Sequence, residues 1–176
     1  MGYINNGDIL LEIVKGIMKV DTAPCKKKLQ KMVYLIEEKG NNLGFGYKLH
    51  LYGPYSEDLD YEVSKLFSEG RLNIQYTSSG HNISCDVSRV NDLKEENIIN
   101  IIKEFGRKSA NDLELLTTTL YAERNIDMPT RDRLIEAVKK VKGDKYSDDK
   151  IVEAIGILNT TGYMQLVGEV YQPVTA

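Results

Sequence analysis

The chain has 176 residues and a formal net charge of −3, with 41% hydrophobic and 28% charged residues. These values are typical of a soluble globular protein that is long enough to bury its own core. A nearly neutral balance gives no general attraction to nucleic acid, and it excludes a protein that binds DNA or RNA by overall charge alone.

The first forty residues predict two helices. Apolar residues at helical spacing predict a first helix from about Gly7 to Val20. We expect Pro24 in the first turn of the second helix, where its missing N–H would be unpaired anyway, and Gly40 just beyond the helix end. One face of the second helix is apolar, and the opposite face carries four lysines: Lys26, Lys27, Lys28 and Lys31.

The next segment predicts a strand, a tight turn and a third helix. Alternating apolar residues predict a half-buried strand over Phe45–Leu51. Gly53-Pro54 is expected to end that strand, because proline cannot donate to a ladder and glycine can adopt a positive φ. Ser56 is expected to cap the third helix, which would end at Gly70. The core-facing residues of this helix are expected to be Leu59, Val63, Leu66 and Phe67.

Two strand-like runs follow, Arg71–Thr77 and Asn82–Ser88, and residues 78–81 between them are typical of a turn. The pair predicts a β-hairpin. Helix, strand, tight turn, helix and hairpin follow one another in the order of a winged-helix module, with the hairpin as its wing. The first half is therefore predicted to be a winged-helix-like binding domain rather than a catalyst.

From residue 91 onward the sequence predicts helices. Asp92 and Glu95 resemble a capping box for a helix that ends at Phe105. The terminal segment Tyr163–Ala176 is expected to be a docking strand or a flexible tail. Three further helices are expected to begin near Ser109, Pro129 and Ser147.

The change in texture near Val90–Leu93 predicts a domain boundary. We expect a winged-helix-like domain over residues 1–90 and a helical extension over residues 91–176 packed on it, or one compact domain formed by both. The predicted fold class is α+β, mainly α, with a β-hairpin wing in the first half.

Two sequence runs carry a resemblance to a known family. Lys28–Leu35 has the sequence KLQKMVYL, and Phe45–Ser56 has the sequence FGYKLHLYGPYS. These runs resemble the lysine-rich helix and the YGPYS turn of the YwgA-like proteins of bacteria and archaea. More distantly, they are similar to the SocA-like antitoxin domain, also called Panacea. The resemblance covers roughly Pro24–Leu72.

The resemblance implies a winged-helix-like, non-enzymatic protein. The Panacea group further implies neutralisation of a toxin by protein–protein contact. No catalytic residue is carried over from either group, and the sequence provides no distinct DNA-binding or protease-adaptor segment.

The glycine–proline turn has two interpretations. Either its tyrosines pack the module together, or the turn forms a notch that binds a partner, since tyrosine combines a large contact area with one polar group. The candidate partner-binding residues are Tyr52, Gly53, Pro54, Tyr55 and Ser56.

The charges of the second and third helices distinguish kinds of partner. Lys26, Lys27, Lys28 and Lys31 are candidates to contact phosphate, and the alternative is a solvated helix face. In a winged-helix DNA reader the helix before the hairpin enters the major groove. Here that helix and its end carry five acids and one lysine, a balance that is repulsive toward a phosphate backbone. A protein partner is therefore expected first, DNA is the alternative, and a homodimer is plausible.

Enzyme and metal motifs are weak in this sequence. His50 and His81 lack a matching ligand pair, and Cys25 and Cys85 have no paired spacing. Neither a serine nucleophile elbow nor a glycine-rich phosphate loop occurs. We expect no enzymatic activity, no cofactor and no metal.

The location is expected to be the cytoplasm. The two cysteines favour reduced thiols, because Met1–Asp8 does not resemble a secretory signal. The apolar runs are too short to cross a bilayer. A run of three threonines, Thr117–Thr119, is expected to bond back to carbonyls of its own helix, with a ligand site as the alternative.

Overall fold

The computed structural model describes residues 6–78 and 80–174. The predicted class, a mixed and mainly helical α+β fold, is confirmed. Within the described residues the strands form three separate antiparallel hairpins, β1–β2, β3–β4 and β5–β6. The helices are α1 (Asn6–Met18), α2 (Lys26–Glu38), α3 (Glu57–Ser68), α4 (Glu96–Phe105), α5 (Ala110–Asn125), α6 (Arg131–Lys142) and α7 (Asp148–Thr160). The strands are β1 (Lys48–His50), β2 (Gly53–Tyr55), β3 (Asn73–Thr77), β4 (Gly80–Ser84), β5 (Met164–Val167) and β6 (Val170–Pro173).

The chain divides into two compact units. The described residues of the first unit lie in 6–47 and Ser56–Ala110, and those of the second lie in Lys48–Tyr55 and 111–174. The predicted boundary between residues 90 and 91 does not coincide with this division. Helix α4 lies in the first unit, because its apolar face packs on α1 and α2, whereas the β1–β2 hairpin lies in the second.

The core of the first unit is built from the apolar faces of α1, α2, α3 and α4. Ile13 and Ile17 of α1 and Leu35 of α2 are fully buried, as the helical periodicity predicts. Phe67 was expected in this core, but its side chain is exposed. It lies at the border of the α3 apolar face, about 40° beyond Val63 at roughly 100° per residue.

Gly106, which follows α4, lies in a tightly packed position. A Cβ at this residue would come within 2.5 Å of the Ile102 carbonyl oxygen and 2.6 Å of Val20 Cγ2. Neither the carbonyl of the preceding turn nor the half-buried, branched side chain of Val20 can move away easily. The close approach of α4 to the end of α1 therefore requires a residue without a side chain here.

The β3–β4 hairpin confirms that a β-hairpin follows α3, with shorter strands than expected. Ile74 pairs with Ile83 and Tyr76 pairs with His81, so Gly80 and His81 belong to β4 rather than to the predicted turn. Ser79 of that turn lies outside the described residues. On its other side β4 is held by the segment before α2, since the Ile83 N–H donates to the Pro24 carbonyl at 2.8 Å.

The starts of α3 and α7 follow the predicted caps, and the start of α4 does not. Ser56 and Ser147 accept hydrogen bonds from backbone N–H groups of α3 and α7, which confirms both. The predicted Asp92–Glu95 capping box is wrong. Glu95 makes no side-chain cap bond, and Asp92 instead accepts a hydrogen bond from Lys19 at 2.8 Å. Its carboxylate is drawn to that ammonium.

The two prolines that were predicted to begin helices, Pro24 and Pro129, lie just before those helices. Pro24 precedes the N-cap Cys25, and Pro129 precedes the N-cap Thr130, whose hydroxyl accepts from the Arg133 N–H. The carbonyls of both prolines accept hydrogen bonds from neighbouring strands, the second from the Tyr171 N–H at 3.0 Å. This extended pairing keeps each proline out of the helix that follows.

The half-buried strand predicted over Phe45–Leu51 is wrong. Only β1 is extended, its residues are exposed, and it pairs with β2, so that Gly53-Pro54 forms the second strand rather than ending the first. The residues before β1 are bound differently. The N–H groups of Leu43 and Phe45 both donate to Glu37 Oε1, which removes them from any ladder.

The second unit contains α5, α6, α7 and two hairpins. Thr117 and Thr119 donate to the carbonyls of Leu113 and Leu115, each at 2.8 Å, which confirms the predicted back-bonding. The terminal segment forms the β5–β6 hairpin, bonded to Pro129, and so corresponds to the docking alternative over its described part. Among the described residues, no helix is long and apolar enough to cross a membrane.

Gly106→Ala should lower the free energy of unfolding by about 1–3 kcal/mol, since the added methyl overpacks a rigid site. Gly156 in α7 is the matched control, because a Cβ there meets nothing within 4 Å. Gly156→Ala should stabilise the protein by about 0.5–1 kcal/mol through helix propensity. Calorimetric melting of both variants measures the contrast, and equal stability of the two would contradict the packing argument.

Candidate interaction site

The five predicted partner-binding residues lie in very different surroundings. Tyr52 lies in the turn between β1 and β2 and is 60% exposed. Gly53 and Pro54 are buried in β2, and Gly53 has a φ of 85°, a conformation that favours glycine. The ring of Tyr55 is partly covered by His50, with ring centroids 5.0 Å apart. Of the five candidate residues, Tyr52 is thus the one whose side chain is largely exposed to solvent.

Ser56 has a structural role. It is fully buried, and its hydroxyl caps α3 by accepting from the Leu59 N–H at 3.2 Å. Its backbone is held by the Gln30 side chain, which donates to the Ser56 carbonyl at 2.9 Å and accepts from the Ser56 N–H at 3.0 Å. The notch hypothesis required Ser56 to line a surface, and the structure shows that it does not.

Leu51, which the sequence did not single out, is the more exposed partner of Tyr52. Its side chain is 70% exposed, so both residues of one two-residue turn carry large, mostly apolar side chains that are exposed. Apolar side chains scattered singly on a surface are ordinary. Two adjacent exposed apolar side chains on a backbone that is held in place are less common.

The backbone of this turn is fixed by a buried ammonium group. Lys142 Nζ donates to the Leu51 carbonyl at 2.5 Å and forms an ion pair with Glu114 Oε1 at 2.8 Å. The side chains of Lys142 and Glu114 are 2% and 0% exposed. Lys145 Nζ also lies 2.8 Å from Glu114 Oε1. One carboxylate thus organises the end of α6 and, through Lys142, the turn.

Buried ion pairs favour a defined geometry more than they favour stability. Removing two charges from water costs several kcal/mol per ion, and the attraction between them offsets this only when hydrogen bonds complete the site. On the lysine side the Glu114–Lys142 pair meets that requirement, because the ammonium also bonds the Leu51 carbonyl. Its structural consequence is a single position for the Leu51–Tyr52 turn.

Lys142→Met should lower the free energy of unfolding by about 3–5 kcal/mol, because it leaves the buried Glu114 carboxylate without its principal counter-charge. The double variant Lys142→Met with Glu114→Gln also removes the negative charge, and it should recover much of the lost free energy of unfolding. Lys145→Met is the control, with an expected loss below about 1 kcal/mol, since the Lys145 side chain is 39% exposed. Urea denaturation measures all three. No recovery in the double variant would assign the loss to packing instead.

The predicted lysine face of α2 is not a solvated face. Lys28 and Lys31 are buried. Lys28 is ion-paired with Asp21 and donates to the Gly106 carbonyl at 3.0 Å, at the end of α4. Lys26 is ion-paired with Asp60 of α3 at 2.6 Å, and Lys27 is half-buried. Two of the four candidate phosphate contacts therefore lie inside the protein.

The acidic residues of α3 differ in exposure and in ion pairing. Glu57 and Asp58 are exposed in the first turn, where the helix dipole favours negative charge. Asp60 is paired with Lys26, and Glu62 lies 3.3 Å from Lys65. The exposed start of this helix is therefore acidic, as the sequence predicts.

Glu37 in the first unit is a partly buried carboxylate with a raised pKa. Burial raises its pKa, and the N–H groups of Phe45 and Leu43 act in the opposite direction without cancelling the increase. Raised carboxyl pKa values often mark functional sites. Here the contacts are with backbone groups of residues 43–45, so the carboxylate holds that loop. Within the described residues, no group of three or more side chains could hold a metal ion.

The raised pKa of Glu37 makes stability depend on pH. Its extra contribution is complete below the ordinary value of 4.5 and is lost as the pH rises through the raised folded value. Glu37→Gln keeps the acceptor oxygen but cannot ionise. The variant should therefore gain stability relative to wild type as the pH rises from about 4.5 toward neutrality. Melting temperatures across that range measure this, and a constant difference would contradict it.

Comparison with known proteins gives one informative match. No family model matches the chain. The chain is similar to Uncharacterized protein YwgA of Bacillus subtilis (strain 168), with 27% identity over 139 residues, which cover 74% of this chain and 82% of the relative. The predicted resemblance to the YwgA-like proteins is confirmed by this distant homologue. The more distant resemblance to the antitoxin domain stays a prediction.

Proposed function

We propose that this is a non-enzymatic regulatory or interaction protein that binds a protein partner through the Leu51–Tyr52 turn. The observation that carries the proposal is the exposure of both side chains, 70% and 60%, on a backbone fixed by Lys142. Contact residues of this kind contribute most when they are large, apolar and held in position before binding. Less conformational freedom is then lost on association.

The composition of the turn favours a protein surface over a small ligand. A tyrosine offers a broad apolar ring and one hydroxyl that can bond a rim group, and leucine fills a complementary pocket. Small ligands instead bind in concave sites that cover most of their surface. A projecting turn is suited to be inserted into a partner rather than to enclose one.

The element order of the first unit supports a regulator. Three helices α1, α2 and α3 are followed by the β3–β4 hairpin, and the Pro24–Cys25 segment before α2 bridges to β4. We infer a winged-helix-like module from this order. An antitoxin-like role is the finer form of the proposal, and a cytoplasmic location accords with Cys25 and Cys85, both free thiols.

DNA binding is the alternative, and the charges disfavour it. The exposed first turn of α3 is acidic, and two lysines of α2 are buried. Placing those acids against phosphates is repulsive.

The proposal is tested by photo-crosslinking in lysate of the native host. A photoreactive phenylalanine analogue at Tyr52 should give a discrete protein adduct, and Leu51→Ser should remove the adduct while leaving the melting temperature unchanged. The same analogue at Tyr61, which is 71% exposed on α3, is the matched control and should not give that adduct. Absence of an adduct at Tyr52 would contradict the proposal.

A gel shift with mixed-sequence duplex at low salt tests the alternative. We expect no retarded species. A shift that weakens steeply as salt is added, the behaviour of phosphate contacts, would instead favour DNA binding and overturn the proposal.

A further inference from the structure

The β3–β4 hairpin has one occupied edge and one open edge. The Ile83 N–H points away from β3, toward the Pro24 carbonyl. In an antiparallel pair, residues opposite each other point their backbone groups either both inward or both outward. Ile74 is opposite Ile83 and Tyr76 is opposite His81, so the N–H and C=O groups of Ile74 and Tyr76 point outward from β3.

These outward groups are not bonded within the described part of the chain. Neither Ile74 nor Tyr76 makes a backbone hydrogen bond across the open edge to any residue of 6–78 or 80–174. Asn73, Gln75 and Tyr76 are exposed, and Tyr76 is 69% exposed with its ring 4.7 Å from that of His81. As far as the described residues go, the edge is therefore both unpaired and accessible.

The composition of β3 lacks the features that normally protect an edge strand. Proteins discourage edge pairing with charges, prolines, bulges or very short strands. β3 is five residues long, and its sequence NIQYT has no charge and no proline. Of the other hairpins, β1 is three residues with a lysine, and the outer side of β6 bonds Pro129. β5 also lacks a charge, but it is one residue shorter than β3 and its first residue, Met164, is buried.

The same strand is complementary to itself. If two β3 strands pair antiparallel with Gln75 at the centre, the outward groups of Ile74 meet those of Tyr76 of the partner subunit. The reciprocal contact forms on the other side, which gives four main-chain hydrogen bonds. Aromatic and β-branched residues paired across strands stabilise a sheet. No charge faces a like charge across the two-fold axis.

We propose that the β3 edge is a homodimerisation site, where a second copy of this chain adds its own β3 to form a continuous four-stranded sheet. The interface is isologous, with the same patch contributed by each subunit. It is independent of the Leu51–Tyr52 turn, which lies on a different hairpin, so either proposal can fail without the other.

The test uses charge at the two-fold axis. Gln75 is exposed and opposite Asn82 on the solvent face, so substitution leaves the core untouched. In the dimer its side chain lies directly beside Gln75 of the partner subunit. Gln75→Lys and Gln75→Glu should each convert the dimer to monomer, because like charges would then be adjacent. An equimolar mixture of the two variants should restore a dimer that contains one copy of each.

Sedimentation of the full chain, with native mass spectrometry of the mixture, measures both effects. Gln165 is the matched control, since it is an exposed, uncharged residue in the interior of β5. Gln165→Lys should leave the dimer unchanged. The proposal is overturned if the wild-type chain stays monomeric up to its solubility limit, or if the Gln75→Lys variant still dimerises. It is also overturned if opposite charges restore a dimer when they are placed at Gln165 rather than at Gln75.

Discussion

The pair of hydrogen bonds between the Gln30 side chain and the Ser56 backbone determines where α3 begins. Both bonds are buried, and Ser56 then caps the helix through its hydroxyl. An amide that donates and accepts at once leaves neither backbone group unsatisfied, which matters because a buried unpaired group costs about 1–3 kcal/mol. The two sequence runs that carry the family resemblance meet at this contact. Their joint appearance in one chain thus has a physical reason.

Charged groups inside the protein fix positions that apolar packing alone would leave adjustable. Lys28 bonds the Gly106 carbonyl at the end of α4, and Lys142 bonds the Leu51 carbonyl at the β1–β2 turn. Each ammonium is also paired with a carboxylate, Asp21 or Glu114. The same device is therefore found in both units: a buried lysine neutralised by an acid uses its remaining N–H groups to hold a carbonyl of a distant segment.

Helices, two of their serine caps and the β3–β4 hairpin could be predicted from the sequence because these depend on local spacing. Apolar residues at helical intervals predicted α1 and α2, and Ser147 predicted the start of α7. The strand predicted over Phe45–Leu51 does not form before Lys48, and no pattern in the sequence indicates this, since the Glu37 carboxylate takes the N–H groups of Leu43 and Phe45. The side chain of Glu37, in α2, competes with a neighbouring strand for these N–H groups. Spacing within the segment itself does not reveal a contact with another element. The candidate site was found only in part: Tyr52 was predicted, whereas Leu51 and its support by Lys142 depend on contacts across 91 positions of sequence.

The class of partner depends on which charges remain on the surface, not on how many the sequence contains. Counted along the chain, the four lysines of α2 offset the acids of α3. Folding removes two of those lysines from the surface and pairs a third with Asp60. Because ions inside the protein are already neutralised by their partners, they contribute little attraction to an approaching polyanion. The exposed start of α3 keeps Glu57 and Asp58, so its local potential is more negative than the composition of the two helices suggests. A phosphate backbone would meet that negative charge first, whereas a protein surface can supply matching cations.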